Sequence, residues 1–238
     1  MIVEFFGLPG AGKTTLENAT LRVLAQRGIT PLLRDDAVSS YIASWSHVPR
    51  DRFTPARRAA SALYKARLFG QSLISTPRLL RPAEVAVPHL VRSATRMAEN
   101  TYLYPWIRSR SHEFGIAVLC EGIVQHAIAH SAWRTLLRPA RPAIATNRLL
   151  DAILGEDNLL VQVKLPVRQA TARLATRGAP QLWPASVSHA AVQDAFAAAT
   201  ARLIPELPCK IIEVEAATAG EDWQEQAHLL AEQLLAAG

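Results

Sequence analysis

Short apolar runs rich in β-branched residues recur along the chain, and stretches with helical periodicity separate them. Each run has the length of a strand, and a continuous apolar run predicts a strand that is buried on both faces. The five runs span residues 2–6, 29–33, 116–120, 159–165 and 210–214. Strands that alternate with helices are typical of an α/β fold. We therefore predict a parallel five-stranded sheet with helices on both faces.

The stretches between the strands predict the helices that cover this sheet. The first helix spans residues 13–27 and ends at Gly28, because a glycine commonly closes a helix. Another helix begins at Pro166, since proline suits the first helical position, and ends at Gly178. The last helix spans residues 221–236, where apolar residues recur at helical spacing.

The segment between the second and third predicted strands contains no strand signal. Residues 63–68 and 88–102 show helical periodicity, and prolines punctuate the rest. We predict a basic helical insertion over residues 50–112 on the carboxyl edge of the sheet. The whole chain, residues 1–238, is then one domain that carries this insertion.

The composition is that of a globular protein with a substantial core. Half of the 238 residues are hydrophobic and 19% are charged, which excludes a disordered chain. No apolar run is long enough to span a membrane without a charge, and the first strand stands where a signal peptide would. The two cysteines, Cys120 and Cys209, are too few for a disulfide framework. We expect a cytoplasmic protein.

The net charge of +6 is concentrated in one segment. Residues 52–111 hold eleven Arg or Lys and two Glu, a charge of +9 that leaves −3 for the rest of the chain. Such a segment suits an anionic acceptor, nucleic acid or an acidic membrane surface. The alternative is that these residues are solvated arginines of a protein with a general bias towards alanine and arginine. Arg57, Arg58 and Arg67 are the candidate contacts to an anionic acceptor.

A glycine-rich segment directly after the first strand carries the strongest chemical signal. Residues 7–14, GLPGAGKT, match the pattern G-x-x-x-x-G-K-[ST], with a strand before and a helix after it. Glycines let successive amides point at phosphate oxygens, and the helix adds its positive dipole end. Lys13 then reaches the β- and γ-phosphates, and the Thr14 hydroxyl binds Mg²⁺. The candidate nucleotide-binding residues are Gly7, Pro9, Gly10, Ala11, Gly12, Lys13, Thr14 and Thr15.

The segment GLPGAGKTT resembles the Walker A loop of the P-loop kinases, and the elements around it follow in the same order. The resemblance implies a kinase-type P-loop NTPase fold with ATP and Mg²⁺ as cofactors, and it does not cover residues 52–111. A guanine-reading N-K-x-D motif is missing from the sequence. Asn147-Arg148 comes nearest and lacks the aspartate, which favours adenine as the base.

Two carboxylates, Asp35 and Asp36, follow the second strand at the edge where ligands bind in such folds. The triplet RDD at 34–36 resembles the acceptor-side motif of polynucleotide kinases, and the resemblance makes Asp35 the candidate base and both residues acceptor contacts. The alternative is that the pair caps a helix over 37–45. The resemblance also implies an arginine shortly after the pair, but residues 38–40 are Val, Ser and Ser, which disfavours nucleic-acid substrates.

The third strand ends in Glu121, which gives a Walker B-like pattern of apolar residues before an acid. By resemblance Glu121 holds a Mg²⁺-bound water, so Thr14 and Glu121 are the candidate metal residues. The alternative is a carboxylate that caps a helix or pairs with an arginine. Gln125 and His126 lie one turn later and could face the crevice, and we predict neither as catalytic.

Arg173 and Arg177 lie four residues apart, so one helical face presents both. The stretch R-x-x-x-R-G at 173–178 is similar to the lid of nucleotide and nucleoside kinases, where arginines neutralise the transferring phosphoryl group. Residues 179–184 are then the moving part of the lid. The alternative is a solvated arginine face on a surface helix.

The candidate catalytic residues are Lys13, Asp35, Glu121, Arg173 and Arg177. Together they favour an ATP-dependent kinase that phosphorylates a hydroxyl of a small molecule. The basic insertion allows this molecule to be anionic. A nucleotide or polynucleotide 5′-hydroxyl kinase is the second hypothesis, with nucleic acid not favoured as a partner. The third is a regulatory P-loop ATPase without an acceptor.

Overall fold

The computed structural model describes residues 1–46, 88–137, 146–177, 187–216 and 223–237. Within them, five parallel strands form one sheet in the order β2-β3-β1-β4-β5. The strands are β1 (Ile2–Gly7), β2 (Leu32–Leu33), β3 (Ala117–Cys120), β4 (Asn158–Lys164) and β5 (Lys210–Glu215). All five were predicted from the sequence, and the parallel α/β architecture is confirmed.

The second strand is shorter than the run 29–33 predicts. Ile29 donates its N–H to Leu24 O at 3.0 Å and so belongs to the end of the first helix. Pro31 has no N–H to give to the sheet. Only Leu32 and Leu33 therefore pair with β3.

Nine α-helices and one 3-10 turn are found in the part of the chain that the structure describes. They are α1 (Lys13–Gln26), α2 (Arg34–Ser46), α3 (Pro88–Ser109), α4 (Ser111–Phe114), α5 (Ile123–Leu137), α6 (Thr146–Ile153), α7 (Val167–Arg177), α8 (His189–Leu203), the 3-10 turn Ile204–Glu206 and α9 (Trp223–Ala237). The predicted helix 63–68 lies outside the described residues.

The central strand β1 supplies side chains to a hydrophobic core on each face of the sheet. Ile2 and Phe6 pack into the core formed with α3, α5 and α8. Val3 and Phe5 pack into the core formed with α1 and α9. Alternate side chains of a strand point to opposite faces, so an apolar strand of this kind needs helices on both sides.

The described part of the predicted insertion is helix α3, which is longer than the predicted span 88–102. It continues through Pro105 to Ser109. Proline normally interrupts a helix, but the burial of Leu103, Tyr104 and Ile107 around it stabilises the continuous helix. Helix α3 thus forms part of one core layer, while residues 47–87 lie outside the description.

The thiols of Cys120 and Cys209 are free, as the sequence predicts. None of the described helices combines the length and apolar character that crossing a bilayer requires.

Candidate functional site

The loop between β1 and α1 lies at the carboxyl edge of the sheet, where its two ends are tightly packed. A Cβ at Gly7 would lie 2.4 Å from the carbonyl oxygen of Val163 in β4. Gly12 has φ +97° and is the N-cap of α1, and a Cβ there would lie 2.7 Å from the Trp223 ring. Only glycine fits both positions, and no side chain caps α1. The first-turn amides of α1 therefore face the loop.

Lys13 folds back over this loop. Its Nζ donates to the carbonyl oxygens of Gly7 at 3.2 Å and Leu8 at 3.1 Å, and the residue is only 7% exposed. Burial lowers the pKa of Lys13, and the negative charge of Glu121 offsets part of that effect. An anion placed in the loop would replace these carbonyl partners and restore the favourable environment of the ammonium group.

Two buried glutamines contact the same loop from the face of the sheet opposite to α1. The Gly7 N–H donates to Gln125 Oε1 of α5 at 2.9 Å. Gln193 of α8 donates through Nε2 to the carbonyl oxygen of Pro9 at 2.7 Å. Gln125 was noted in the sequence because it follows the third strand by one turn, but no local signal distinguishes Gln193. Both side chains fix the path of the loop backbone.

The predicted metal residues, Thr14 and Glu121, both lie near the end of β3. Thr14 Oγ1 lies 3.9 Å from Cys120 Sγ, and Glu121 follows Cys120 directly. Glu121 is exposed and has φ +55°, an uncommon conformation for a residue with a side chain. The structure thus places the Thr14 hydroxyl near the end of β3.

Glu17 is a buried carboxyl beside this group that the sequence did not single out. Burial raises its pKa, a hydrogen bond with Cys120 lowers it, and the charge of Glu121 raises it again. Burial and the Glu17 charge in turn raise the pKa of the Cys120 thiol to about 12. The available signal was the i, i+4 spacing from Lys13, which places Glu17 one turn along the same face of α1.

A second carboxyl that was missed, Glu4, lies in the middle of β1 and is fully buried. Tyr104 donates its O–H to Glu4 Oε2 at 2.6 Å, and the amides of Val124 and Gln125 donate at 3.2 and 2.8 Å. Burial raises the pKa of Glu4 to about 7, although these hydrogen bonds favour the charged form. Glu4 therefore fixes the first turn of α5 to the central strand. A single acid within an apolar strand was the signal.

The aspartates of the RDD triplet lie in the first turn of α2, because this helix begins at Arg34 and not at residue 37. The side chain of Asp35 is 81% exposed, and one carboxylate oxygen lies 3.6 Å from Arg34 Nη1. Acidic residues in a first turn stabilise a helix through its dipole, so both aspartates also fit the alternative that they only cap a helix. The pairing of Leu33 with Val118 still sets Asp35 at the edge of the sheet where β3 ends.

The predicted lid arginines belong to α7, which contacts the tip of the phosphate loop. A Cβ at Gly10 would lie 3.4 Å from the Leu174 side chain and 3.5 Å from the carbonyl oxygen of Ala170. Arg173 is half-buried next to Leu174. The side chain of Arg177 and residues 178–186 lie outside the description, as do the predicted acceptor contacts Arg57, Arg58 and Arg67.

His126 lies one turn beyond Glu121 in α5 and is buried. Burial, together with the positive charges of Arg96, Arg34 and Arg92, lowers its pKa to about 3. The imidazole is therefore neutral at physiological pH.

A cavity of about 450 Å³ opens beside the loop, between the ends of β4 and β5 and helix α8. Only Gly7 and Leu8 of the phosphate loop line it, and its other walls include Pro166, Thr200 and Glu215. The cavity therefore adjoins the glycine-rich loop and is separate from the position of Lys13.

The sheet order and the glycine-rich loop between the central strand and α1 define a P-loop fold of the kinase type. Deoxyadenosine kinase from M. mycoides has this fold: its structure with bound dATP has a TM-score of 0.50 and 12% identity over 99% of this chain and 100% of that chain. The structures with bound dCTP, and with dCMP and a flexible dCDP, match the same shares at a TM-score of 0.49 and 12% identity. No family model and no curated protein sequence matches the chain.

Proposed function

We propose that this protein is an ATP-dependent kinase that transfers the γ-phosphate of ATP to a hydroxyl group of a small molecule. The observation that carries most weight is the position of Lys13. Its ammonium group is buried over the loop carbonyls at the uncapped N-terminus of α1, with Thr14 and Glu121 beside it. A buried cation and free helix amides at one point suit a polyphosphate.

The oxygen atoms of Thr14 and Glu121 fit Mg²⁺, which prefers oxygen ligands. Magnesium in kinases is held by one or two protein groups together with the phosphates and water. Bound Mg²⁺ neutralises negative charge on the phosphates during transfer.

In the proposed reaction, the acceptor oxygen forms a bond to the γ-phosphorus while the bond from that phosphorus to the β-bridging oxygen breaks. Asp35 accepts the proton of the acceptor hydroxyl, and its exposed carboxylate at the edge of the sheet is accessible for this role. Arg173 and Arg177 neutralise charge on the transferring phosphoryl group from α7, which contacts the loop through Leu174.

The named activity of the M. mycoides enzyme, a deoxyadenosine kinase, supports a kinase among the functions that this fold permits. A nucleotide or polynucleotide kinase is the alternative acceptor class. A regulatory ATPase would need the loop and the metal residues, but no base for an acceptor.

Labelled ATP and Mg²⁺, incubated with separate pools of nucleosides, nucleotides, amino sugars and short oligonucleotides, test this function. We expect label in one pool, and no transfer by the variant Lys13→Ala. Arg22→Ala, which removes an exposed cation from α1, is the matched control and should retain transfer. Slow release of free phosphate with label in no pool would favour the regulatory ATPase and refute the kinase.

A further inference from the structure

Three arginines converge on the β2–β3 side of the crevice. Arg34 is the first residue of α2, while Arg92 and Arg96 lie one turn apart on α3. Glu99 Oε2 accepts a hydrogen bond from Arg34 Nη2 and another from Arg96 Nη1, the latter at 2.7 Å. The positive charges of all three arginines lower the pKa of the buried His126.

The three arginines carry more positive charge than the carboxylates around them neutralise, and they have more N–H donors than these carboxylates accept from. Glu99 is the one buried carboxylate that these arginines contact among the described residues, and Asp35 beside Arg34 is largely exposed. A guanidinium group has five N–H donors, and Glu99 Oε2 takes one from each of two arginines. Within the described part of the chain, Arg34 Nε is buried and has no hydrogen-bond acceptor.

The three arginine side chains differ in their exposure, from mostly buried to exposed. The side chain of Arg34 is 14% exposed and that of Arg96 is 37% exposed, while Arg92 is exposed. A purely structural link between α2 and α3 would need Arg34, Glu99 and Arg96 only. Arg92, one turn before Arg96 on α3, adds a third and exposed positive charge to this side.

We propose that Arg34, Arg92 and Arg96 form a subsite for a phosphate or carboxylate group of the acceptor, with Glu99 as the fixed anchor of the guanidinium groups. This rests on the proposed kinase function and names the acceptor class: a small molecule that carries an anionic group besides the hydroxyl that is phosphorylated. Planar guanidinium groups recognise both kinds of anion through paired N–H donors.

Inorganic phosphate serves as the probe of this subsite in a calorimetric titration. The phosphate loop is first saturated with Mg²⁺ and a non-hydrolysable ATP analogue, so that added phosphate reports on a second site. We expect saturable binding by the parent protein, weakened about tenfold or more in the double variant Arg92→Gln/Arg96→Gln. Arg22→Gln, at an exposed position on α1, should bind phosphate like the parent. Unchanged binding in the double variant, or none in the parent, would overturn the subsite.

A transfer assay identifies the kind of anion. Matched acceptors with and without a phosphate, and with and without a carboxylate, are compared with labelled ATP. The parent should prefer one anionic set, and Arg96→Lys, which keeps the charge, should lose less of that preference than Arg96→Gln. Equal use of neutral and anionic acceptors would overturn the subsite and leave the kinase intact. Failure of the ATP analogue to bind would refute the kinase itself.

Discussion

The buried carboxyl of Glu4 should make the stability of the protein depend on pH in a specific direction. The folded protein holds its proton more tightly than the unfolded chain, because burial raises the pKa from 4.5 to about 7. Protonation therefore favours the folded state. The stabilisation is complete below about pH 4.5 and is lost as the pH rises through about 7.

The size of the effect follows from the difference between the two pKa values. A rise from 4.5 to about 7 corresponds to about 3 kcal/mol of the free energy of unfolding. The variant Glu4→Gln removes this titration. In the parent, two backbone N–H groups donate to the Glu4 carboxyl, but the N–H₂ group of a glutamine cannot accept from one of them. One backbone N–H is then left unpaired, at a cost of about 1–3 kcal/mol that does not vary with pH.

Urea unfolding of the parent and of Glu4→Gln, at intervals from about pH 4.5 to about pH 8, separates the two contributions. The difference in stability between the two proteins should fall by about 3 kcal/mol across that range, because only the parent titrates at position 4. Glu225→Gln, which alters an exposed carboxyl on α9, is the matched control variant. A flat difference for Glu4→Gln would mean that the hydrogen bonds fully offset the effect of burial on the pKa, and it would refute the reasoning.

Three further predictions concern the site directly. Asp35→Ala should leave ATP binding intact and reduce transfer by roughly 10²- to 10⁴-fold, measured with labelled ATP, whereas Asp151→Ala on α6 should not; equal turnover by Asp35→Ala and the parent would contradict the base. Gln193→Leu removes a 2.7 Å hydrogen bond to the loop, so the KM for ATP should rise about tenfold; an unchanged KM would contradict its positioning role. Gly12→Ala places a Cβ 2.7 Å from an indole ring at φ +97° and should abolish nucleotide binding in calorimetry. Gly28→Ala is the control, because Gly28 also has a positive φ of +77° but its Cβ would meet no atom within 4 Å, so this variant should still bind nucleotide. Equal nucleotide affinity of the two variants would refute the argument that the Gly12 Cβ collides with the indole ring.

The sequence predicts those features of the fold that depend on nearby residues. Apolar runs located all five strands, and glycine spacing located the tight loop between β1 and α1, because that loop and Lys13 lie within one short segment. Errors arose where tertiary packing prevailed over local signals. Helix α3 continues through Pro105 because its flanking residues are buried, and α2 begins at Arg34 directly after a very short strand.

The residues that were missed make contacts across the chain. Gln193 meets the phosphate loop across 184 residues, and Glu4 meets Tyr104 across 100. Neither has a local spacing that could reveal its partner, since the pairing exists only after the helices have packed on the sheet. An acid inside an apolar strand indicates that a buried partner exists but cannot identify it.

The first turn of α5 explains why a costly carboxyl stands in the central strand. That turn begins two residues after Glu121 and carries Gln125, which holds the glycine-rich loop, and His126, whose pKa is lowered by the arginines of the proposed subsite. Glu4 fixes the amides of this turn, so its loss should shift all three positions together. Glu4→Gln should therefore raise the KM of both ATP and acceptor, whereas Gln193→Leu, which acts from α8 on the loop alone, should raise only that of ATP. Identical kinetic changes in the two variants would mean that the turn does not couple the two sides of the crevice.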